Sequence, residues 1–515
     1  MRYYYNLGLF FEEVSSENAD SIALRYLGAS VTYRELNIIS SHIAAMIVGK
    51  DIRPGDVVAI INTKEAESYA AMIACLKIGV AYTNIDIDNP VVRSEAILRQ
   101  CCPKLILYDT PPSSDFLHMV EKIGISAVSL KSLVAEKAAE LKPDLVSRVA
   151  GSRIAYIMFT SGSTGVPKGV AITHQNILSF INWSINRYRI TPGDILANIS
   201  PMYFDNSVFD FYTAFFSGAS LFPIKKDLLS KPKELLSAID RIGCTIWFSV
   251  PSMLIYLMTM RALSKSTFQS IRIITFGGEG FPKKELKKLY DLYCNRIELI
   301  NVYGPTEGTC ICSSYTINER VFDNMDGLPS LGPINSNFEY LILDEDGKLS
   351  DRGELCILGP NIGAGYYKDQ KRSSEVFSYC FDYGFYGTPM YRTGDLVREE
   401  DGLLYFSGRK DNQIKHMGYR IELEEIELAL SQITGVNQAA VIYDRVSDAY
   451  GKIVAFIACD EDLSSNDVRE KLKKRIPGYM LPNTIRFFRL LPKNQNGKVD
   501  KKELHRLSNI SGSGT

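Results

Sequence analysis

Apolar residues recur along this chain in two alternating rhythms, and the rhythms predict its elements. The continuous run "VVAII" at 57–61 reads as a strand buried on both faces. The segment after it places Tyr69, Met72, Ile73 and Leu76 at helical spacing before Gly79, and "KLILYD" at 104–109 supplies a second strand. Strand, helix and strand in that order make a βαβ unit, whose crossover sets the two strands parallel. The rhythm returns downstream. "TIWFSV" ends at Val250 before a helix opening near Ser252, "IRIITF" ends at Phe276, "PKKELKKLYDLYC" is helical, and "IELINVY" ends at Tyr303. Ligands of open α/β sheets bind beyond the carboxyl ends of the strands, so the residues just after Phe276 and Tyr303 are site candidates.

The character changes after about Gly408. Short strands ("QAAVIYD", "KIVAFIA", "TIRFFRL") surround one basic helix, the pattern of a small α+β domain, and the polar, glycine-bearing "SGRKDNQIKHMGYR" between the halves reads as a hinge. The expected architecture is therefore α/β: a large N-terminal domain over 1–408 with mostly parallel sheets and flanking helices, a hinge at 409–412, and a small mobile α+β domain over 413–515. There is no internal repeat and no low-complexity tract.

Composition narrows the function classes. A chain of 515 residues with 46% hydrophobic residues and a formal net charge of −1 is globular rather than disordered or fibrous. The longest basic run, "REKLKKRIP" at 469–477, reads as the solvated face of a short helix, so no nucleic-acid partner is expected. The ten cysteines show no paired CxxC spacing, which fits reduced thiols better than a zinc site. The opening "MRYYYNLGLFFEE" is too short in its apolar part for a signal core, and no segment approaches the ~20 apolar residues of a membrane span. The expectation is a cytoplasmic protein without a membrane partner.

Candidate chemistry begins at "YIMFTSGSTGVPKGVAITHQN", residues 156–176. A Gly/Ser/Thr loop after a strand exposes backbone N–H groups and hydroxyls, and Lys168 adds a mobile positive charge, a combination suited to a polyphosphate. Its spacing differs from the GxxxxGK[ST] of a Walker loop, which excludes the P-loop NTPases. Alone, the segment would equally suit a surface turn. Five further motifs follow in order: "NVYGPTEGT" (301–309), "GELCILGPNIGAGYY" (353–367), "YRTGDLV" (391–397), "GRKDNQIKHMGYRIELEEIE" (408–427) and "LPKNQNGKVDKKEL" (491–504). Together the set resembles the adenylate-forming enzymes, specifically the stand-alone amino-acid adenylation domains of nonribosomal peptide synthesis. The likeness runs from "VTYREL" at Val31 to Leu504.

The resemblance assigns roles. Thr160, Ser161, Gly162, Ser163, Thr164, Gly165 and Lys168 would hold the ATP phosphates. Asn301, Gly304 and Thr306 would line the nucleotide, Tyr303 would lie along the adenine, and Asp395, with Arg409 nearby, would accept hydrogen bonds from the ribose hydroxyls. Glu307 would bind Mg²⁺. Each acid has a plainer alternative, helix capping for Glu307 and a turn for Asp395. Lys498 carries the chemistry. When a carboxylate attacks the α-phosphorus of ATP, negative charge grows on the non-bridging oxygens and the leaving pyrophosphate, and an ammonium there stabilises that charge more than the ground state. Asn496-Gly497 would set Lys498 on a tight turn; among Lys493, Lys501 and Lys502 it could also be a solvated tail lysine. Asp411 matches the family's hinge position, and rotation about it would exchange Lys498 for the segment around Lys415 and Gly418, admitting a phosphopantetheine thiol.

For the substrate, "YFDNSVFDFY" at 203–212 supplies Asp205, matched to the aspartate that pairs with an α-ammonium; helix capping by Asp205 or Ser207 stands beside that reading. The pocket would be lined by Asn206, Phe209, Ser249, Thr275, Gly277, Gly278, Val302, Cys310 and Ile311, several of them small or polar, as a small or hydroxyl-bearing substrate side chain would require. The chain is also similar to the D-alanine:carrier protein ligases, which bear a cysteine where Gly277 stands. "NIDIDNP" at 84–90 departs from a commoner proline-containing form, Ala364 stands where arginine is usual, and Asn494-Gln495 replaces Thr-Pro. No Ser-bearing "GGxS" segment follows "NGKVDKKEL", so a separate phosphopantetheinyl carrier protein is expected as acceptor. The expected activity is ATP- and Mg²⁺-dependent formation of an aminoacyl-AMP, then transfer to the carrier thiol. The alternatives are a D-alanine:carrier protein ligase, an acyl- or aryl-CoA ligase, and a catalytically silent scaffold.

Overall fold

The computed structural model of the chain describes residues 3–136, 140–162, 165–381, 387–447, 450–459, 463–493 and 499–510. Its contacts divide into two compact units. The first comprises Met1–Ile87, Leu98–Phe159 and Gly169–Lys410, and the second Asp88–Ile97, Thr160–Lys168 and Asp411–Thr515.

Three sheets build the first unit. An eight-stranded sheet runs in the order Ser313–Thr316, Glu298–Tyr303, Ile273–Gly277, Ile246–Ser249, Ile195–Asn198, Ser220–Pro223, Ile22–Arg25, Ser30–Thr32. Its central six strands are mutually parallel and its two edge strands pair antiparallel. A six-stranded sheet is centred on Val57–Ile61, which lies parallel to both Ala81–Ile85 and Leu105–Tyr108, the βαβ arrangement read from the sequence. Strand and helix bounds agree with the apolar rhythm: Pro251–Thr259 follows Ile246–Ser249, and Lys283–Tyr293 joins Ile273–Gly277 to Glu298–Tyr303.

Two features differ from the periodic reading. The helix Ala66–Ile78 reads as apolar on one face, yet every residue from Ser68 to Ile78 is buried. The helices Leu7–Glu17 and Tyr33–Gly49 pack against the side away from the sheet. Its one inconvenient residue, Lys77, is fully buried and donates from Nζ to Ser41 Oγ at 2.7 Å and Asn37 Oδ1 at 2.5 Å. Gly79 then ends the helix in a left-handed turn at φ 66°.

The second difference is an antiparallel five-stranded sheet of Glu339–Leu343, Arg352–Leu358, Phe377–Phe381, Gly387–Glu400 and Leu403–Arg409. The "mostly parallel" expectation holds for the two large sheets only. Strands such as Gly387–Glu400 are buried on alternate residues, a pattern far weaker in sequence than a continuous apolar run.

In the second unit, Val436–Ser447 pairs antiparallel with Tyr450–Cys459, and Thr484–Phe488 adds parallel to the latter. The basic stretch lies on the helix Ser465–Lys473 and the residues just after it. The helix is opened by a reciprocal cap between Ser464 and Asp467, buries Val468 and Leu472, and turns Lys471 and Lys473 outward. All ten cysteines are free thiols. Among the described residues no helix is long and apolar enough to cross a membrane.

Candidate active site

The site of the first unit grows from the carboxyl end of the strand Glu298–Tyr303. Tyr303, the last strand residue, donates its phenol to Asp395 Oδ2 at 2.5 Å. Asp395 lies in the strand Gly387–Glu400 and is 3% exposed; its other oxygen is ion-paired with Arg409, which also donates to the Thr393 carbonyl at 3.2 Å. A plain turn role for Asp395 is excluded by that placement. Burial, with the Asp395 charge beside it, pushes the Tyr303 phenol well above its ordinary pKa, so this hydroxyl stays a donor.

Immediately after the strand, Gly304 passes under the segment that returns. A Cβ on Gly304 would stand 2.1 Å from the Cys310 carbonyl oxygen. The short helical turn Thr306–Gly308 follows, and Thr309 and Cys310 then take left-handed backbone conformations at φ 57° and 75°. Such conformations cost of order 1–3 kcal/mol each in residues with a Cβ and persist where surrounding contacts enforce them. Here the Thr309 hydroxyl donates to the Asn361 carbonyl at 2.6 Å, and the Cys312 amide to the Tyr303 carbonyl at 2.8 Å.

That turn orients two further acids. Glu307 is fully buried and accepts from the Tyr366 hydroxyl at 2.8 Å. Thr306, beside it, donates to Asp205 Oδ2 at 2.6 Å. Asp205 occupies the N-cap position of the helix Asn206–Phe215 but makes no side-chain capping bond; its carboxylate faces Thr306 instead. Three acids named from the sequence, Asp205, Glu307 and Asp395, are thus tied to residues 303–307.

Around them stand the expected pocket residues. Phe209 is fully buried and packs on Phe248 with ring centroids 5.4 Å apart and on Tyr188 at 4.7 Å. Thr275 and Gly277 lie on the strand Ile273–Gly277, and a Cβ on Gly277 would meet the Val302 carbonyl oxygen at 2.5 Å. Gly278 follows at φ 88°, with Asn206 near its open side. Cys310 and Ile311 are buried, at 5% and 1% exposure.

Two of the expected residues have their polar groups engaged within the protein. Ser249 Oγ accepts from Trp247 Nε1 at 2.8 Å and donates to the Val250 carbonyl at 3.1 Å. Asn301 donates its amide to the Ser330 carbonyl at 2.8 Å. Tyr366, the donor to Glu307, was not singled out from the sequence; it sits inside the quoted "GAGYY".

The phosphate-loop residues belong to the second unit. Ser161 donates to the Arg420 carbonyl at 2.6 Å, Lys168 Nζ lies 3.9 Å from Glu422 Oε1, and Gly165, at φ 76°, donates to the Gly162 carbonyl at 2.8 Å. Burial raises the Glu422 carboxyl above its ordinary range, against the pull of Lys168. The Thr160 hydroxyl is buried without a hydrogen-bond partner. Asp411 accepts from the Gln413 amide at 3.2 Å, at the foot of the hairpin Gln413–His416/Tyr419–Glu422. Lys415 is on its first strand, and Met417 with Gly418 makes its tip in left-handed conformations. Ser163, Thr164 and Lys498 lie outside the described residues.

The chain matches the AMP-binding enzyme family over residues 11–367 and the AMP-binding enzyme C-terminal domain over 425–498. It belongs to that family. It is 30% identical over 502 residues to the D-alanine–D-alanyl carrier protein ligases of Bacillus cereus (strain B4264) and Bacillus anthracis, covering 96% of this chain and 97% of theirs. Among solved structures, it resembles the Vibrio cholerae adenylation domain AlmE in complex with glycyl-adenosine-5'-phosphate (TM-score 0.82, 22% identity, 99% of each chain). It likewise resembles the amide bond synthetase McbA from Marinactinospora thermotolerans (TM-score 0.85, 22% identity, 97% of this chain and 99% of that one). At these identities the two structures establish the shared fold.

Proposed function

We propose that the protein activates an amino acid with ATP as an aminoacyl-AMP, releases pyrophosphate, and passes the acyl group to the phosphopantetheine thiol of a separate carrier protein. The observation that carries this reading is the convergence of Asp205, Glu307 and Asp395 on residues 303–307. Three carboxylates held apart by separate donors fit three different positive or hydroxylic partners rather than one metal cluster. Asp395, oriented by Tyr303 and Arg409, would accept from the ribose hydroxyls. Asp205, oriented by Thr306, would pair with the substrate ammonium. The printed names of the relatives support a carrier-bound thiol as acceptor.

Glu307 is the residue that would hold Mg²⁺. Among the described residues no group of three or more His, Cys, Asp or Glu side chains is assembled for a metal. A single buried carboxylate suits a cation that keeps most of its shell as phosphate oxygens and water. Bound there, the ion would neutralise phosphate charge. In the protein itself, Lys168 and the loop before it would bind the phosphates, and Lys498 would neutralise the charge that develops as the carboxylate displaces pyrophosphate. Rotation at 409–412 would then bring Lys415 and Gly418 to the site for thiol attack, with the carboxyl-to-phosphate bond of the adenylate broken and AMP released. Cytoplasmic location belongs to the same reading.

The test is exchange of labelled pyrophosphate into ATP across L- and D-amino acids, D-alanine first, and aryl acids. Exchange with an amino acid that disappears in Asp205→Ala is the expected result. Exchange with aryl acids that survives in Asp205→Ala would make the protein an aryl-activating ligase. Silence across the panel would make it a scaffold.

A further inference from the structure

The segment that delivers Asp205, residues 199–205, leaves the strand Ile195–Asn198 and doubles back before the helix Asn206–Phe215. Its internal bonds are local: Phe204 donates to the Pro201 carbonyl at 3.0 Å, and the Ser207 hydroxyl to the Phe204 carbonyl at 2.6 Å. Besides the Thr306 hydroxyl on Asp205, a set of polar side chains from the other parallel sheet holds it from outside. Asn84, on the strand Ala81–Ile85, donates Nδ2 to the Met202 carbonyl at 3.0 Å, and its Oδ1 accepts from Asn62 Nδ2 at 3.1 Å. Asn62 Oδ1 accepts from the Lys64 amide at 2.9 Å. Lys64, 6% exposed, sends Nζ to three backbone carbonyls: Asn198 at 2.7 Å, Ile199 at 3.0 Å and Ile224 at 2.9 Å.

A buried ammonium with all three protons on carbonyls is satisfied, and each carbonyl gains a charged donor, that of Asn198 in addition to the Ile224 amide at 3.2 Å. The Asn198 side chain extends the set, accepting from Tyr69 Oη at 2.8 Å and donating to Asp210 at 3.0 Å. The carbonyls held, 198, 199 and 202, lie within seven residues of Asp205, and Met202 is three residues before it. Asn84 opens the "NIDIDNP" stretch, and its side-chain amide supplies the donor to Met202.

We propose that Asn84, backed by Asn62 and Lys64, is a positioning residue for amino-acid recognition: it locks the Met202 carbonyl and thereby aims the Asp205 carboxylate at the substrate ammonium. The proposal rests on the reading of Asp205 given above. A carboxylate pairs strongly with an ammonium only at good geometry, so freeing the loop at Met202 weakens recognition of the amine and leaves the rest of the ligand unaffected.

The experiment uses the full-length protein and two non-hydrolysable adenylate mimics. One is the 5'-O-sulfamoyladenosine carrying the amino acid that best supports exchange; the other is its analogue lacking the amino group. Affinities are measured by calorimetry for the parent, Asn84→Leu and Asn84→Asp. The aspartate keeps the shape and removes the donor. For both variants the aminoacyl mimic should bind roughly three- to tenfold more weakly, the yield of one net hydrogen bond, with the des-amino mimic unchanged. Equal weakening of both mimics, or of neither, overturns the positioning role while the parent still prefers the amine. A parent that binds the two mimics equally overturns the Asp205 reading itself and the positioning role with it. Melting temperatures of the variants, measured alongside, separate lost recognition from lost folding, and a variant that melts as the parent does yet loses the preference supports the proposal.

Discussion

At the scale of single residues, the site depends on carboxylates whose partners fix their direction. The Asp205 carboxylate makes no capping bond to the helix it precedes and instead accepts from Thr306. Replacing it by alanine should abolish amino-acid-dependent pyrophosphate exchange, a loss of about 100-fold or more if a desolvated charge pair of about 3 kcal/mol is removed. Thr306→Val removes the orienting hydroxyl at nearly constant volume. It should raise the amino-acid KM several-fold with a smaller change in the ATP KM, as steady-state exchange kinetics will read. Lys498→Met should slow aminoacyl-AMP formation by about 100-fold, the scale of one lost donor to a developing charge, while ATP binding persists; single-turnover assays separate the two.

At the scale of elements, the strands Ile273–Gly277 and Glu298–Tyr303 approach so closely at their carboxyl ends that Gly277 has no room for a side chain. An added Cβ would lie 2.5 Å from the Val302 carbonyl and 2.6 Å from Val302 Cγ2. Backbone cannot yield as a flexible side-chain tip can, so Gly277→Ala and Gly277→Cys should each lower stability by about 1–3 kcal/mol, read as a reduced Tm. They should also weaken amino-acid binding, since the shift falls on Val302 in the pocket wall. Unchanged melting and affinity in Gly277→Ala would show that the strand ends part easily.

For the whole molecule, one buried histidine ties the N-terminal helix to the six-stranded sheet. His174 opens the helix His174–Tyr188, is fully buried, and accepts the Leu7 amide on Nδ1 at 3.1 Å. Burial holds its pKa down at about 3, so it folds neutral. Its ordinary value is about 6.5, and below that the unfolded chain takes up a proton that the folded chain refuses. Stability is therefore intact above pH 6.5 and falls by about 1.4 kcal/mol for each pH unit from there down toward 3. His174→Asn, which keeps an acceptor near Nδ1 without a titrating ring, should flatten the Tm profile between pH 4 and 6.5. A slope identical to the parent's would assign the acid sensitivity to other groups.

Much of this was legible in the order of residues. Continuous apolar runs marked the parallel strands, helical spacing marked the crossovers, six motifs in sequence marked the family and named Glu307, Tyr303 and Asp395, and "YFDNSVFDFY" named Asp205. Those signals are local, since periodicity and turn chemistry act over a few residues. What each side chain meets was decided only by tertiary structure: Thr306 reaches Asp205 across 101 residues, and Tyr303 reaches Asp395 across 92. The antiparallel sheet was hidden because half-exposed strands alternate weakly, and the full burial of residues 68–78 because no helix announces what will cover its far side. Asn84 looked like a mere departure in sequence. It became a donor to Met202 only once two sheets, paired within themselves, brought their strand ends together.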